Sequence, residues 1–520
     1  MDQHPPMGSQ RAIKRPGVRG LWLVTFLGFA ALYLLTAQRS VSWQDSGRFQ
    51  WRVLTGQYHD QLGLALSHPL YIAAGRALLH LPVGSFPGRL NFFSGLGMAV
   101  ALANLAVVAT LLTGRRRVGL ASAAMLGVCH TVWWLSTAAE VYTWSVAGLT
   151  GELWLLVLLF RRPAVRTLVA LALVSGLGWA VHNFALLPLP VYITVALVFV
   201  TRGRLPAWSL AAAAGAYLAG AAPYVAMILD QAASSGDLAG AIRSALVGDY
   251  GAAVLNTHMV RQNMKISAVL ASLNFVSLLG PLAVVGWCSF RRRLGDGMAA
   301  AIGVITAIEV IFVARYPVPD QFSFLLPSLA MFAVAAAVGT AALAGRSRRL
   351  RALAITACIV SVLLPPAFYA ACPTLVRRLH GAVQRRRELP FRDEARYWLV
   401  PWRHNEKSAE RFAREALGQA APDGIIVADS TSGNPLRVLQ LLEGLSSGVT
   451  VQDGTGPLPP FVGDGEAFRA AAGDRPVYAV APAAGYLPAA FLEAARFDRP
   501  SGAVLCRAHW KQPVEATQPR

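Results

Sequence analysis

The chain has 520 residues, of which 55% are hydrophobic and 14% charged, with a mean hydropathy of +0.46. Soluble domains carry roughly 25% charged residues, so this composition excludes an ordinary soluble globule. The net charge of +20 does not point to nucleic acid either, because its arginines sit in short links between apolar blocks, as topology signals do.

Met1–Gly20 is polar, carries Arg11, Lys14, Arg15 and Arg19, and reads as a cytoplasmic tail. Leu21–Ala37 is the first predicted span, an uncleaved anchor rather than a signal peptide because many spans follow. Residues 38–90 form the first exported loop. Within it, Pro69–Pro82 is too short to cross and carries Arg76, so it is expected as a helix lying in the interface. The following spans are expected at Asn91–Leu112, Val118–Leu135, Val141–Phe160, Thr167–Val181, Phe184–Val200 and Ala207–Ile228. Ile266–Phe290, Ala299–Val313, Phe322–Leu343 and Ala352–Ala371 complete the set, giving eleven. Each approaches the roughly 20 apolar residues that cross a bilayer as a helix, the form in which backbone hydrogen bonds are met internally.

The positive-inside rule fixes the orientation. Arg115–Arg117, Arg161 with Arg162 and Arg166, Arg202 with Arg204, Arg291–Arg293, and Arg346 with Arg348, Arg349 and Arg351 all fall on the side of the N-terminus. That side is expected to be cytoplasmic. The opposite face gathers Asp45 to Arg89, Ala138–Tyr142, His182-Asn183, Asp230 to Lys265, and Arg315–Gln321.

From Pro373 the composition changes, and residues 372–520 read as a small exported α/β domain. Ser408–Leu417 has apolar residues at helical spacing; Ile425–Ala428, Val449–Gln452 and Val477–Val480 are strand candidates, with a helix over Pro435–Leu445. The loop Asp429–Asn434 lacks P-loop or dinucleotide spacing and reads as an N-capping turn. The five cysteines show no C-x-x-C pair, so no zinc site is expected. Cys129, Cys288 and Cys358 sit in apolar spans, whereas Cys372 and Cys506 are candidates for one exported disulfide.

Asp45-Ser46-Gly47, Leu62–Tyr71 with His68-Pro69-Leu70-Tyr71, Asn91, and Trp134 followed by Ala139-Glu140-Val141-Tyr142 together resemble the DUF2723 membrane proteins. These are GT-C-type glycosyltransferases similar to protein O-mannosyltransferases. Asp320-Gln321-Phe322 to Leu326-Pro327 and Asp423–Asp429 are also similar to family patterns. Two departures stand out: Arg48 follows Asp-Ser-Gly where the family commonly has an acid, and the His-Pro run is shortened.

The resemblance implies a polytopic all-α GT-C-like bundle over 21–371 and transfer of a sugar from a polyprenyl-phosphate carrier. It also implies that Asp45 is the acid of the first exported loop, and it makes Glu140 a second site acid. The chemistry fits independently: a carboxylate within about 3 Å can take the acceptor's proton, and desolvation near the bilayer raises its basicity. A forked guanidinium suits the leaving phosphate, with Arg315 the first candidate and Arg89, Arg261 and Lys265 behind it. His68, Tyr71, Tyr142, His182, Asn183 and Asp320 complete the expected substrate site.

Each has a plainer reading. Asp45 and Asp320 are at capping positions, and His68 and His182-Asn183 stand at helix ends with orphan backbone groups. His130 with Trp133 and Trp134 reads as packing, and His59 and Asp60 as exposed loop residues. Glu152 falls mid-span, where an acid is a functional candidate. No cofactor is required, and a divalent metal is neither required nor excluded. The expected partners are membrane lipid, the lipid-linked donor and a protein, lipid or glycan acceptor, in a bacterial inner or plasma membrane. A transporter or flippase of lipid-linked intermediates is the alternative; its polar groups would belong near the midplane.

Overall fold

The structure, a computed structural model, describes residues 17–258, 271–318, 320–380, 389–453, 458, 465–484 and 486–511. Arg261, Lys265 and most of the N-terminal tail lie outside the described residues. Helices dominate the chain up to His380, and one small sheet forms near its C-terminal end.

The first helix, α1 (Val18–Thr36), turns Leu23, Val24, Leu27, Leu34 and Leu35 outward, an apolar surface suited to lipid. After it come two short helices, α2 (Gln44–Thr55) and α3 (Pro69–Ala77), and then α4 (Phe86–Thr113). Ser85 caps α4, its Oγ accepting from Gly88 N at 3.2 Å, and Gly114 closes it in the left-handed conformation. Next are α5 (Arg116–Gly127), α6 (His130–Leu135), α7 (Tyr142–Arg161) and α8 (Val165–Val181). A single 3-10 turn, Asn183–Leu186, leads into α9 (Leu189–Thr201), followed by α10 (Trp208–Ser235) and α11 (Leu238–Leu246). The bundle ends with α12 (Leu279–Leu294), α13 (Asp296–Arg315), α14 (Leu325–Ala344) and α15 (Arg348–His380).

Among the described residues, eight helical segments are long and apolar enough to cross a membrane: α1, α4, α7, α9 with its leading turn, α10, α13, α14 and α15. The protein is a multi-pass membrane protein. The expected count of eleven spans is not confirmed. α8 covers the expected Thr167–Val181 segment with 17 residues, α12 has 16, and the predicted Val118–Leu135 span breaks where Cys129 takes an extended backbone between α5 and α6. The first residues of the predicted Ile266–Phe290 span lie outside the described residues. Pro69–Pro82 does not cross. Its helix α3 buries Tyr71 and Ile72 and packs Gly75 against Val53 of α2 and Leu90 of α4.

Apolar surface gives little drive for helix pairing inside hydrocarbon, so close packing of small residues replaces it. α12 and α14 meet this way: a Cβ on Gly286 would collide with Ala335 O, and one on Gly339 with Leu282 O. α4 and α14 are the most enclosed of the spans and form the centre of the bundle.

α15 continues past Ala371, the expected domain boundary, to His380. Cys372 on this helix and Cys506 in the sheet are both free thiols, so the candidate disulfide is not formed. Beyond lie α16 (Glu394–Leu399), α17 (Ser408–Gln419) and α18 (Ser430–Glu443). The strands are β1 (Ile425–Val427), β2 (Thr450–Gln452), β3 (Val477–Ala479), β4 (Ala495–Asp498) and β5 (Cys506–Trp510), in the order β2-β1-β3-β5-β4. The first three are parallel, and β5 runs antiparallel to both β3 and β4. Asp429 caps α18, its Oδ1 accepting from Ser432 N at 3.1 Å, so the Asp429–Asn434 loop is a capping turn.

The α/β unit reaches the bundle through α2. Asn434 Nδ2 donates to Gln44 O at 3.2 Å, and Gly47 lies so close to Ser42 O and Asn434 that any Cβ would clash with the backbone carbonyl. Gly47→Ala should therefore lower stability by about 1–3 kcal/mol, the usual range for overpacking. Thermal unfolding of the detergent-solubilised protein checks this; an unchanged midpoint contradicts the contact.

Candidate active site

Where the links between helices converge at one end of the bundle, they enclose a cavity of about 400 Å³, within the range typical of ligand pockets. Asp45, Arg48 and Arg52 reach it from α2, and Asp60 and His68 from the same loop. Glu140 and Tyr142 come from the start of α7, His182 and Asn183 from the α8–α9 junction, and Arg315 and Asp320 from the α13–α14 link.

The run Asp45-Ser46-Gly47 divides its labour by side-chain direction. Gly47 faces the C-terminal unit. Ser46 points to the bundle, where its Oγ donates to Glu140 Oε1 at 2.7 Å. Asp45 keeps an accessible surface that faces the cavity, inside walls that still desolvate its carboxylate. Behind Glu140, Ser94 Oγ accepts from Glu140 N at 2.8 Å and donates to Glu140 O at 2.9 Å, so the backbone of this residue is fixed by α4.

Four carboxylates line the cavity; Asp60 is neutralised by its arginines, and the other three compete for charge. Burial pushes Glu140 up to about 8, and the charge at Asp45 adds to the rise, against the Ser46 hydrogen bond. Burial and then Asp45 also raise Asp320, which accepts a hydrogen bond from Tyr142 Oη at 3.3 Å. Asp45 is raised by burial as well, but the Arg48 guanidinium pulls it back down. Asp45 is the most exposed of the three and has the Arg48 guanidinium opposing its rise, which makes it the best placed to hold the negative charge.

Basic groups line the same space. Arg48 Nη2 and Arg52 Nη1 both pair with Asp60, at 2.7 and 3.2 Å. His68 has φ +51, a left-handed conformation that costs a non-glycine residue about 1–3 kcal/mol. It begins α3 ahead of Pro69, and its ring stacks on His182 at 5.0 Å with Nδ1 2.9 Å from Val181 O. Burial, then the neighbouring His182 and Arg52, keep His68 well below the ordinary imidazole value. Arg315 Nη1 donates to Val254 O at 2.8 Å and Asn256 O at 2.5 Å, tying the end of α13 to the segment after α11. Among the described residues, no group of three His, Cys, Asp or Glu side chains is arranged to hold a metal ion.

Of the residues singled out by sequence, Asp45, His68, Glu140, Tyr142, His182, Asn183, Arg315 and Asp320 all line this cavity. Asn183 also braces the wall, its Nδ2 donating to Ala245 O at 2.9 Å. Tyr71 does not line it. α3 turns that ring inward, edge-on to Phe49, with Oη 3.2 Å from Ser94 Oγ. Arg89 is absent too, since its Nη1 is engaged by Val83 O and Gly84 O at 2.8 Å.

Asp60 is not an exposed loop residue: only 2% of its side chain is accessible. The Arg48–Asp60–Arg52 cluster escaped sequence reading, although two arginines four apart on one helix face were a usable signal. Arg403 escaped it as well. It is buried, its guanidinium nitrogens lack hydrogen-bond partners among the described residues, and it lies 3.6 Å over Trp134 and 4.5 Å over Tyr397. Its charge acts on Glu140 from behind. Thr137 Oγ1, which donates to Pro401 O at 2.8 Å, ties the two segments together.

Residues 62–204 match the family model of the protein O-mannosyl-transferase TMEM260 N-terminal domain. That stretch contains His68, Glu140, Tyr142, His182 and Asn183, but not Asp45, Arg315 or Asp320. Among solved structures, ArnT from Cupriavidus metallidurans bound to undecaprenyl phosphate is similar over 94% of this chain and 97% of that one, with a TM-score of 0.54 and 12% identity. The chain shares the ArnT fold. The apo state of ArnT matches over 89% of this chain and 93% of that one, at a TM-score of 0.48 and 13% identity. No curated protein matches the sequence. The expected polytopic helical bundle with a small C-terminal α/β domain is the architecture found, in the fold of ArnT.

A carboxyl that titrates near 8 when folded and near 4.5 when unfolded binds more protons in the folded state between those values. Its contribution to stability therefore falls as pH rises through that window. Thermal midpoints at pH 5 and pH 9 should differ less in Glu140→Gln than in the wild type; an equal fall in both removes Glu140 from the desolvated set.

Proposed function

We propose that the protein is a membrane glycosyltransferase of the DUF2723 type, moving a sugar from a polyprenyl-phosphate carrier to an acceptor hydroxyl outside the cytoplasm. The observation that carries this reading is an exposed carboxylate, Asp45, facing a cavity in which Glu140 and Asp320 are pushed toward their neutral forms. The family match over residues 62–204 and the fold shared with a protein crystallised with undecaprenyl phosphate support it.

In the proposed step the acceptor oxygen attacks the anomeric carbon and its proton passes to Asp45. The bond from that carbon to the phosphate oxygen breaks, and the carrier phosphate leaves with the electron pair. Attack opposite the leaving group inverts the anomeric configuration. A base matched to ambient pH contributes about 10²–10⁴-fold. Neutral Glu140 and Asp320 can donate hydrogen bonds to sugar oxygens, and Arg315 offers its remaining N–H groups to the phosphate. The scheme needs no proton on the leaving phosphate, so a divalent metal is optional to it. The acceptor is a protein, lipid or glycan.

The N-terminus is assigned to the cytoplasm and the cavity to the opposite face, on the placement of the arginine links. A transporter reading would draw on Glu152 and Glu309, both buried within spans. Glu152 Oε2, however, accepts from Tyr192 Oη at 3.0 Å, which gives it a structural partner between α7 and α9.

Membranes containing Asp45→Asn should lose transfer from a labelled polyprenyl-phosphate sugar by about 10²–10⁴-fold, with protein abundance unchanged. Full transfer by that variant would remove Asp45 from the role of base.

A further inference from the structure

The residue that departs from the family pattern, Arg48, is the one for which the geometry suggests a use. It follows Asp45 by three positions on α2, so the two side chains share a helix face. Both line the cavity. What surrounds Arg48 differs from what surrounds its neighbours. Arg52 is only 2% accessible, and its N–H groups are spent on Asp60 and on the carbonyls of Gln57, Tyr58, Leu66 and Ser67. Asp60, equally buried, divides its oxygens: Oδ2 faces Arg52, and Oδ1 takes Arg48 Nη2 and Leu62 N.

Arg52 and Asp60 therefore cancel one another as a rigid, neutral base. Arg48 rests on that base through Nη2 alone and remains 23% accessible. The triad carries one net positive charge, and the accessible end of it faces the cavity. A guanidinium held by one nitrogen keeps N–H groups free to form a planar fork, the geometry that fits phosphate oxygens. Immobilising a long side chain before the ligand arrives also removes much of the entropy cost of binding.

We infer that Arg48 is a phosphate-binding residue of this site, taking the carrier phosphate of the lipid-linked sugar on the fork left open by Asp60. The inference rests on the glycosyl-transfer reading for the identity of the ligand. Arg315, with Nη1 engaged by two carbonyls, lines the same cavity, so two anchored guanidiniums are available to the phosphate. The same placement gives Arg48 a second effect, since its charge opposes the rise of the Asp45 carboxyl. The acidic residue common at this position in the resembling family would face Asp60 across the same space, where two carboxylates repel. In this chain Arg48 and Asp60 therefore belong together.

The test uses the full chain in nanodiscs, with undecaprenyl phosphate, undecaprenol and inorganic phosphate as probes. Wild type should bind undecaprenyl phosphate better than undecaprenol. Arg48→Gln should weaken undecaprenyl phosphate binding by about tenfold to a hundredfold, the span expected for loss of a charge-assisted hydrogen bond, and leave undecaprenol binding unchanged. In transfer assays Arg48→Gln should raise KM for the carrier sugar more than it lowers kcat, whereas Asp45→Asn lowers kcat and still binds the carrier. Arg48→Lys keeps the charge and the pairing with Asp60 but loses the fork, and should bind severalfold more weakly than wild type. It serves as the reporter if Arg48→Gln fails to fold.

Equal affinity for undecaprenyl phosphate in wild type and either folded variant overturns the inference and leaves the transfer reading standing. Inorganic phosphate displacing nothing at millimolar concentration supports a lipid-borne ligand; binding of inorganic phosphate as tight as that of undecaprenyl phosphate overturns the carrier assignment. Failure of the wild type to bind undecaprenyl phosphate or to transfer sugar overturns the functional reading and this inference with it.

Discussion

Desolvation of three carboxylates in one cavity is the constraint on which the rest of this site depends. Asp45, Glu140 and Asp320 come from links far apart in sequence, and only the bundle brings them together. Burial there penalises three negative charges close together. The charge settles where a cation and an open surface favour it, at Asp45 beside Arg48. Glu140 and Asp320 are pushed the other way. Neighbouring acids with separated proton affinities are the usual route to one base and one or two hydrogen-bond donors at a single pH.

That arrangement requires α2 to be held rigidly, and it is held on three sides. Gly47 lets it pack against Ser42 O and against Asn434 of the C-terminal unit, Ser46 joins it to Glu140, and Arg52 staples its far end to the loop carbonyls. The C-terminal unit is therefore part of the scaffold of the cavity as well as a separate fold. Arg403 extends the same principle, bringing a buried cation from that unit behind Glu140.

Much of the architecture could be read from sequence because hydrocarbon imposes long apolar helices and because arginines mark one side of the membrane. For the same reason, the acids and histidines of the opposite links, Glu140, His182, Asp320 and their neighbours, could be expected to meet at one surface. What sequence did not resolve was set by packing. Tyr71 lies on the face of α3 that turns toward Phe49, a choice fixed by how α3 leans on α2 and α4. Asp60 looked like a loop residue because its two arginine partners come from a helix whose orientation follows from tertiary contacts. The β4–β5 pair was overlooked although Cys506–Trp510 alternates buried and exposed positions, because its charged residues masked the apolar face. The break at Cys129 shows that apolar length alone does not set where a helix ends.

The most direct measurement of the central claim is the titration of the Glu140 carboxyl, followed by its infrared carbonyl band against Glu140→Gln as reference, in otherwise wild-type protein and in Asp45→Asn. If the acids share one desolvated cavity, the midpoint lies near 8 in the wild type and moves down once the Asp45 charge is gone. A midpoint near that of an ordinary carboxyl, or one that ignores Asp45→Asn, would contradict the account.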